Sequence, residues 1–359
     1  MSKTWKRLVG MICFFTMLFA MAGCSSDIAD TAVDNGTDSS AEDDSMAATD
    51  TEMNVDADTT DADAGESEAK PNAEDLKATA NEKYEIVVIE KNLANPIWIA
   101  LKEGAEQAGA DAGCSVTVLA PNTAESNEEQ ISLIQQQIAK GVDALVVIPA
   151  DGTGISPAIE EANAANIPVI NVDTRIDTSI CSVATFIAVE NYTAGKETAK
   201  GLVDLMGGTG NVIILEGKPG TQSSIDIVGG ANDVFAEYDD INVVASQAAN
   251  WNRTDSYNVT LNLLEANPDA TAIFAANDEM AMGAHQAVAQ NGREGDILIA
   301  GLNANPDAVE AVNEGRLALT FDKNGYLQGY ASVMAAVMTL NGETLESEYE
   351  VPGMLVLPE

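Results

Sequence analysis

Histidine occurs once in the 359 residues, as His285. A Ser–His–Asp triad needs a histidine beside its nucleophile, and a His-pair metal site needs two. His285 lies in Met282-Gly283-Ala284-His285-Gln286, which reads as helix, so its ring is expected to pack or to meet solvent. Lysine and arginine are also scarce: 17 stand against 57 Asp and Glu, for a net charge of −40. From Asn81 onward the counts are 12 and 40, a net of −28. Nucleic-acid binding is thereby excluded, because phosphate contacts need basic patches. The four cysteines, Cys13, Cys24, Cys114 and Cys181, are too few for a disulfide framework in a chain of this size. Phosphate and dinucleotide loops are missing too. Gly208-Thr209-Gly210 precedes a strand instead of following one, and Gly217-Lys218-Pro219-Gly220-Thr221 lacks the spacing of a phosphate loop. Asp278 and Glu279 are neighbours on a helix and diverge by about 100°. No catalysis, cofactor or metal is expected.

What is present begins at the N-terminus. Lys3, Lys6 and Arg7 precede an apolar run from Leu8 to Ala20, and Met21-Ala22-Gly23-Cys24 follows. The run is short for a membrane span and has the layout of a secretory signal peptide. Its small-small-Cys ending resembles a bacterial lipobox, in which the cysteine is diacylated and becomes the new N-terminus. Residues 1–23 are therefore expected to be removed and Cys24 to carry lipid. An ordinary anchor helix is the alternative, and it leaves the domain outside the membrane all the same. Two acyl chains hold firmly where one binds marginally. Asp27 to Ala69 holds fifteen acidic residues and no Lys or Arg. Such a stretch cannot bury enough apolar surface to offset its ordering entropy and repels itself into an extended spacer. Residues 24–81 are expected to be a disordered acidic linker, with a specific acidic interaction tail as the alternative. Cys114 and Cys181 then remain in the exported domain, expected as buried small residues, with a disulfide between them as the alternative.

Beyond the linker, short apolar runs alternate with helix-like segments. Strands are predicted at Tyr84–Glu90, Ser115–Leu119, Asp143–Ile148, Ile167–Val172 and Val183–Val189. A second set follows at Asn211–Leu215, Asn242–Ser246, Ala270–Ala275, Asp296–Gly301 and Leu317–Phe321. Most are Val- and Ile-rich throughout, as parallel strands covered on both faces must be. Glu125–Lys140 carries Ile131, Ile134 and Ile138 at helical spacing. The pattern runs twice and ends in a helix, Gly325–Leu340, with a tail strand near Glu348–Val351. The expected class is α/β, with two doubly wound parallel-sheet lobes facing each other across a cleft.

In such sheets ligands bind beyond the carboxyl ends of the strands. The first strand is followed by Lys91 and Asn92 to Trp98, with Asn95 between, and the fourth by Asp173-Thr174-Arg175. Later strand ends bring Trp251, Asn277, Asn303 and Lys323. Amides, carboxylates and cations in this arrangement suit a hydroxyl-rich ligand, and a flat aromatic face suits the C–H face of a sugar ring or a heteroaromatic base. Helix caps would account for the Asn and Asp residues individually, and core packing would account for the tryptophans.

The segments Ala94-Asn95-Pro96-Ile97-Trp98, Ile167–Asp173 and Phe274–Ala284 resemble the ribose-type periplasmic binding proteins, type I fold. The likeness runs from about Lys83 to Leu357, nearly the whole mature domain. It implies three hinge crossings, near Val189–Asn191, Lys323–Asn324 and Val351–Met354. The lobes would be residues 82–189 with 324–352, and 190–323 with 353–359. It implies a monomeric binding protein whose lobes close on a sugar and present it to an ABC permease and its ATPase. The protein would face the extracellular or periplasmic side from its lipid anchor. Lys91, Asn95, Trp98, Asp173 and Arg175 would line one lobe, Trp251, Asn277 and Asn303 the other, and Lys323 the crossing. Related repressors begin with a DNA-binding helix-turn-helix, whose place here is taken by the signal peptide and linker. The sequence also departs from the family. Thr174 intervenes before Arg175, and Ile225 or Ile227 stands where the family has a second-lobe Arg. Asn303 replaces an Asp, and Lys323 replaces a Gln. These changes point away from plain ribose and toward a sugar or polyol with an apolar or anionic substituent. A receptor passing a sugar-like signal to a sensor kinase is the alternative role, and an exported α/β enzyme a more distant one.

Overall fold

The computed structural model describes residues 70–358. The expected signal peptide and lipidated Cys24, and the acidic stretch to Ala69, lie outside these residues. The first half of the folded chain runs β1 (Glu85–Ile89), α1 (Pro96–Ala112), β2 (Ser115–Leu119), α2 (Asn127–Lys140), β3 (Ala144–Val147), α3 (Ser156–Ala164), β4 (Val169–Val172) and β5 (Thr185–Ala188). The second half continues α4 (Asn191–Met206), β6 (Gly210–Glu216), α5 (Gln222–Phe235), β7 (Ile241–Ala248), α6 (Arg253–Ala266), β8 (Ala272–Ala275), α7 (Asp278–Gln290), β9 (Leu298–Leu302), α8 (Pro306–Asn313) and β10 (Leu319–Asp322). It closes with α9 (Gly325–Leu340), β11 (Glu348–Glu350) and β12 (Met354–Val356).

Strands β3, β4, β5 and β8 bury every side chain. Helices cover both faces of each sheet, which is why these runs are apolar without alternation. The strand orders are β2-β1-β3-β4-β5-β11 and β7-β6-β8-β9-β10-β12, so the second sheet repeats the first. All pairings are parallel except β10 with β12. This is the doubly wound order whose switch point opens a crevice beside the first strand of each sheet. The chain passes between the sheets three times: between β5 and α4, between β10 and α9, and between β11 and β12.

Helix contacts sort the crossings into lobes. Helix α9 packs on α1 in the first lobe, and α4 packs on α5 in the second. Both pairs touch through glycine. A Cβ on Gly329 would lie 1.9 Å from the Leu101 carbonyl oxygen, and one on Gly195 would lie 2.1 Å from that of Ile227. No described helix is long and apolar enough to cross a membrane.

Two expectations need correction here. The linker does not extend to Asn81, because Ala73 and Leu76 are buried and Asn72 bridges Glu350 in parallel at the edge of the first sheet. Two well-placed apolar residues and a strand-edge bridge tie this arm to the first lobe. Cys114 and Cys181 are both free and half-buried, neither fully buried nor paired. Strand β12 had no sequence signal, being three residues long and half-exposed.

Candidate binding cleft

The first-lobe side of the cleft begins where β1 ends. Asn95 caps α1, its side-chain oxygen accepting from the Ile97 N–H, and Pro96 sits at the first helical position, where its missing N–H costs nothing. The cap turns the chain so that Trp98, one turn in, reaches back to the strand end. Its ring is 7% exposed and lies under the Lys91 ammonium, 5.1 Å from the ring centroid. The second-lobe side is built alike. Asn252 caps α6 and Asn277 caps α7, the latter accepting from the Met280 N–H at 2.9 Å and donating to the Trp251 carbonyl oxygen at 3.4 Å. For Asn95 and Asn277 the cap and the cleft position coexist. Trp251 lies so close to Gly217 that a Cβ there would fall 2.0 Å from the indole ring.

These elements enclose a cleft of about 420 Å³. Lys91, Asn95, Trp98, Asp173, Trp251, Asn277, Asn303 and Lys323 all line it. Five cleft residues also hold left-handed backbone without being glycine: Glu125 (φ 58°), Asp173 (62°), Asn250 (56°), Trp251 (60°) and Asn303 (114°). Such conformations cost about 1–3 kcal/mol each and gather at functional sites.

Arg175 is the exception among the expected site residues. It points away from this cleft, to Glu190 and Glu348 at 2.5 Å each, with its guanidinium 4.1 Å over the Phe186 ring. Thr174 takes the inward position instead. Its side chain is buried, and its hydroxyl accepts from Lys91 at 2.7 Å.

Asp173 is the electrostatic centre. Lys91 meets its Oδ2 at 2.9 Å, and Lys323 meets its Oδ1 and also donates to Asn191 Oδ1 at 2.7 Å. The Thr174 hydroxyl donates to Oδ2 at 3.1 Å. Burial pushes this carboxyl's pKa up, but the ammonium groups of Lys323 and Lys91 outweigh it and hold the group well below the usual carboxylate range. Asn191 Nδ2 donates to the Asp173 carbonyl oxygen at 3.0 Å, fixing the strand end to the start of α4. At the rim Arg253 holds Glu279 at 2.8 and 3.0 Å and Asp307 at 2.7 Å. Lys218 of the second lobe donates to the Glu125 carbonyl oxygen of the first at 3.3 Å.

Glu125, Asn191 and Lys218 also line the cleft and are not among the residues the sequence marks as candidates. Glu125 reads as the start of the helix Glu125–Lys140, and Lys218 lies in a segment that fits no phosphate loop, so neither spacing marks a ligand contact. Asn191 reads only as part of the first crossing, near Val189–Asn191, and the fold brings it to Lys323. Of the two isoleucines weighed, Ile227 lines the cleft and Ile225 is 56% exposed. Among the described residues no cluster of His, Cys, Asp and Glu could hold a metal ion.

Two doubly wound lobes joined by three crossings, with a polar and aromatic cleft between them, define a type I periplasmic binding protein. Residues 86–344 match the family described as periplasmic binding protein domain. The ribose import binding protein RbsB of Escherichia coli (strain K12) is 32% identical, over 79% of this chain and 94% of that one. A solute-binding protein from Actinobacillus succinogenes 130z, solved with bound D-allose, superposes with a TM-score of 0.74 at 36% identity, covering 77% of this chain and 98% of the other. One from Bacillus halodurans C-125, solved with bound myo-inositol, gives 0.72 at 27%, covering 78% and 96%. The chain belongs to the ribose-type periplasmic binding protein family, whose members bind and do not catalyse.

Proposed function

We propose that the protein is the extracytoplasmic solute-binding lipoprotein of an ABC importer. It binds a monosaccharide or related polyol by closing its two lobes, and hands it to a permease driven by an ATPase. The observation that carries this reading is the cleft: a tryptophan from each lobe borders a space of about 420 Å³ ringed by amides and charged groups. That is a monosaccharide-scale site with flat faces for C–H surfaces and polar groups for hydroxyls. The relatives named for ribose import, or solved with D-allose and myo-inositol, support the ligand class. Contacts from both lobes favour the closed state over the open one, and that difference drives closure. Lipid on Cys24 would hold the monomer at the outer face of the membrane.

Native mass spectrometry of protein purified without added ligand tests the reading, followed by calorimetry with pentoses, hexoses, inositols and sugar acids. A polyol retained or bound with one-to-one stoichiometry is expected. Silence across the whole panel would refute the reading. Cys24→Ser should leave the membrane fraction; continued acylation and membrane partition would refute the lipid anchor.

A further inference from the structure

The charge of the cleft runs against the charge of the chain. From Asn81 onward acids outnumber Lys and Arg by 40 to 12. The cleft nonetheless takes four cations, Lys91, Lys218, Arg253 and Lys323, and only three acids, Glu125, Asp173 and Glu279. Arg253 is committed to Glu279 and Asp307 at the rim. Lys218 bridges to the Glu125 carbonyl oxygen, and the charges of Lys91 and then Lys218 both act on the Glu125 carboxyl. Deepest in the cleft lie Lys91, Lys323 and Asp173, exposed by 3%, 4% and 3%. Lys91, Lys218 and Lys323 set against Glu125 and Asp173 leave one unit of positive charge at this corner of the cleft.

The donors tell the same story. An ammonium has three N–H donors and no acceptor. Lys91 uses one on Asp173 and one on Thr174, and Lys323 uses one on Asp173 and one on Asn191. One donor on each lysine is unspent. Both Asp173 oxygens are engaged, so a ligand at this corner meets donors and positive charge. The free carboxylate that the resemblance to ribose-type proteins implies is not available there.

We propose that the ligand is a sugar acid whose carboxylate docks between Lys91 and Lys323. This rests on the reading that the cleft binds a polyol. A monoanion cancels the single surplus charge, whereas a phosphate monoester would overfill it. Charge-assisted hydrogen bonds from the two ammonium groups make the docking strong and directional. The anion also decides closure. Closing the lobes over an uncompensated charge is costly, and the carboxylate removes that cost only when it is bound.

Calorimetry on the mature chain compares D-ribose with D-ribonate, and D-galactose with D-galacturonate and with methyl D-galacturonate. D-ribose 5-phosphate is a further arm. At least one acid should bind tenfold or more tighter than its neutral parent and, for galacturonate, than its ester. That preference should shrink as ionic strength rises and collapse toward parity in Lys323→Gln. Should that variant not fold, Lys91→Gln and the salt series on the unaltered protein carry the same readout. Equal or tighter binding of the neutral sugars overturns the sugar-acid inference and leaves the sugar-binding reading standing. Binding of the phosphate alone overturns the carboxylate assignment. No binding by any sugar, acid or ester overturns both.

Discussion

Asp173→Ala removes the one carboxylate that, among the described residues, forms ion pairs with two buried ammonium groups. The size of the effect follows from the geometry. Lys91 and Lys323 hold the two oxygens of one carboxylate, so their charges are roughly 5 Å apart, and at an effective dielectric of about 20 they repel by about 3 kcal/mol once Asp173 is gone. Removing one partner of a buried ion pair costs about 3–5 kcal/mol, in agreement. For a domain of this size that corresponds to a fall in Tm of about 10 °C. Thermal unfolding by circular dichroism and a urea titration at pH 7 both read it. The double variant Asp173→Ala/Lys323→Met, which removes the repulsion as well, should recover at least half of the loss.

The pH dependence has a definite sign. Asp173 has a folded-state pKa below its unfolded value of about 3.9. Its contribution is complete above that value and disappears as pH falls through the folded pKa. The gap between the unaltered protein and Asp173→Ala should therefore be full at pH 7 and narrow below about pH 4. An unchanged Tm at pH 7, or a gap that does not narrow in acid, would refute the assignment of Asp173 as a structural counter-ion. A variant that stays stable and loses only sugar affinity would instead restore it as a direct acceptor of hydroxyls.

Three further outcomes are expected. Trp98→Ala and Trp251→Ala should each weaken ligand binding by about 1–2 kcal/mol, and ligand should change the intrinsic fluorescence of the mature chain; normal affinity in both variants would remove the tryptophans from the site. Glu90 is fully buried with neither carboxylate oxygen partnered, and burial pushes its pKa up to about 9. The folded state then holds a proton that the unfolded state releases, so its stabilising contribution is present below about pH 4.5 and is lost with rising pH at up to about 1.4 kcal/mol per unit. Glu90→Gln should gain on the unaltered protein steadily from pH 5 to pH 8, and parallel pH profiles would sink this. A chain beginning at Asn81 should be less stable in urea than one beginning at Lys70 by about 2–4 kcal/mol, the burial of Leu76 and Ala73, while chains beginning at Cys24 and at Lys70 should bind ligand equally well. Equal urea midpoints for the Lys70 and Asn81 chains would show the arm to be unimportant.

The fold was legible because its signals are redundant. Val- and Ile-rich runs at repeated spacing mark strands covered on both faces, and β2 (Ser115–Leu119) and α9 (Gly325–Leu340) appear at the expected bounds. The cleft was legible at strand ends, since the doubly wound order sends every such end to the same side. Partnership was not legible. Lys91, Asp173 and Lys323 each follow a different strand, and nothing in their spacing says that both ammonium groups share one carboxylate. The inward and outward choice at Thr174 and Arg175 was equally hidden, because it follows from the left-handed φ of 62° at Asp173. The arm from Lys70 to Leu76 was absorbed into the linker by composition, although two small apolar contacts and one bridge suffice to fix it.

Residues 173–175 join the cleft to the hinge. Asp173 and Thr174 face inward, to Lys91 and to Lys323 at the second crossing. Arg175 faces outward, to Glu190 at the first crossing and to Glu348 on β11, just ahead of the third. Lys70 of the arm reaches the same two carboxylates, at 3.3 and 2.8 Å. Any relative movement of the lobes bends the chain at these crossings, so it must carry or break contacts on both sides of the tripeptide. The outer set is half-exposed and electrically balanced, two cations with two carboxylates, and pairs of that kind contribute little and rearrange easily. The inner set is buried and carries a surplus charge. The energetic weight of opening and closing therefore lies on the cleft side, where an anionic ligand would supply the missing charge.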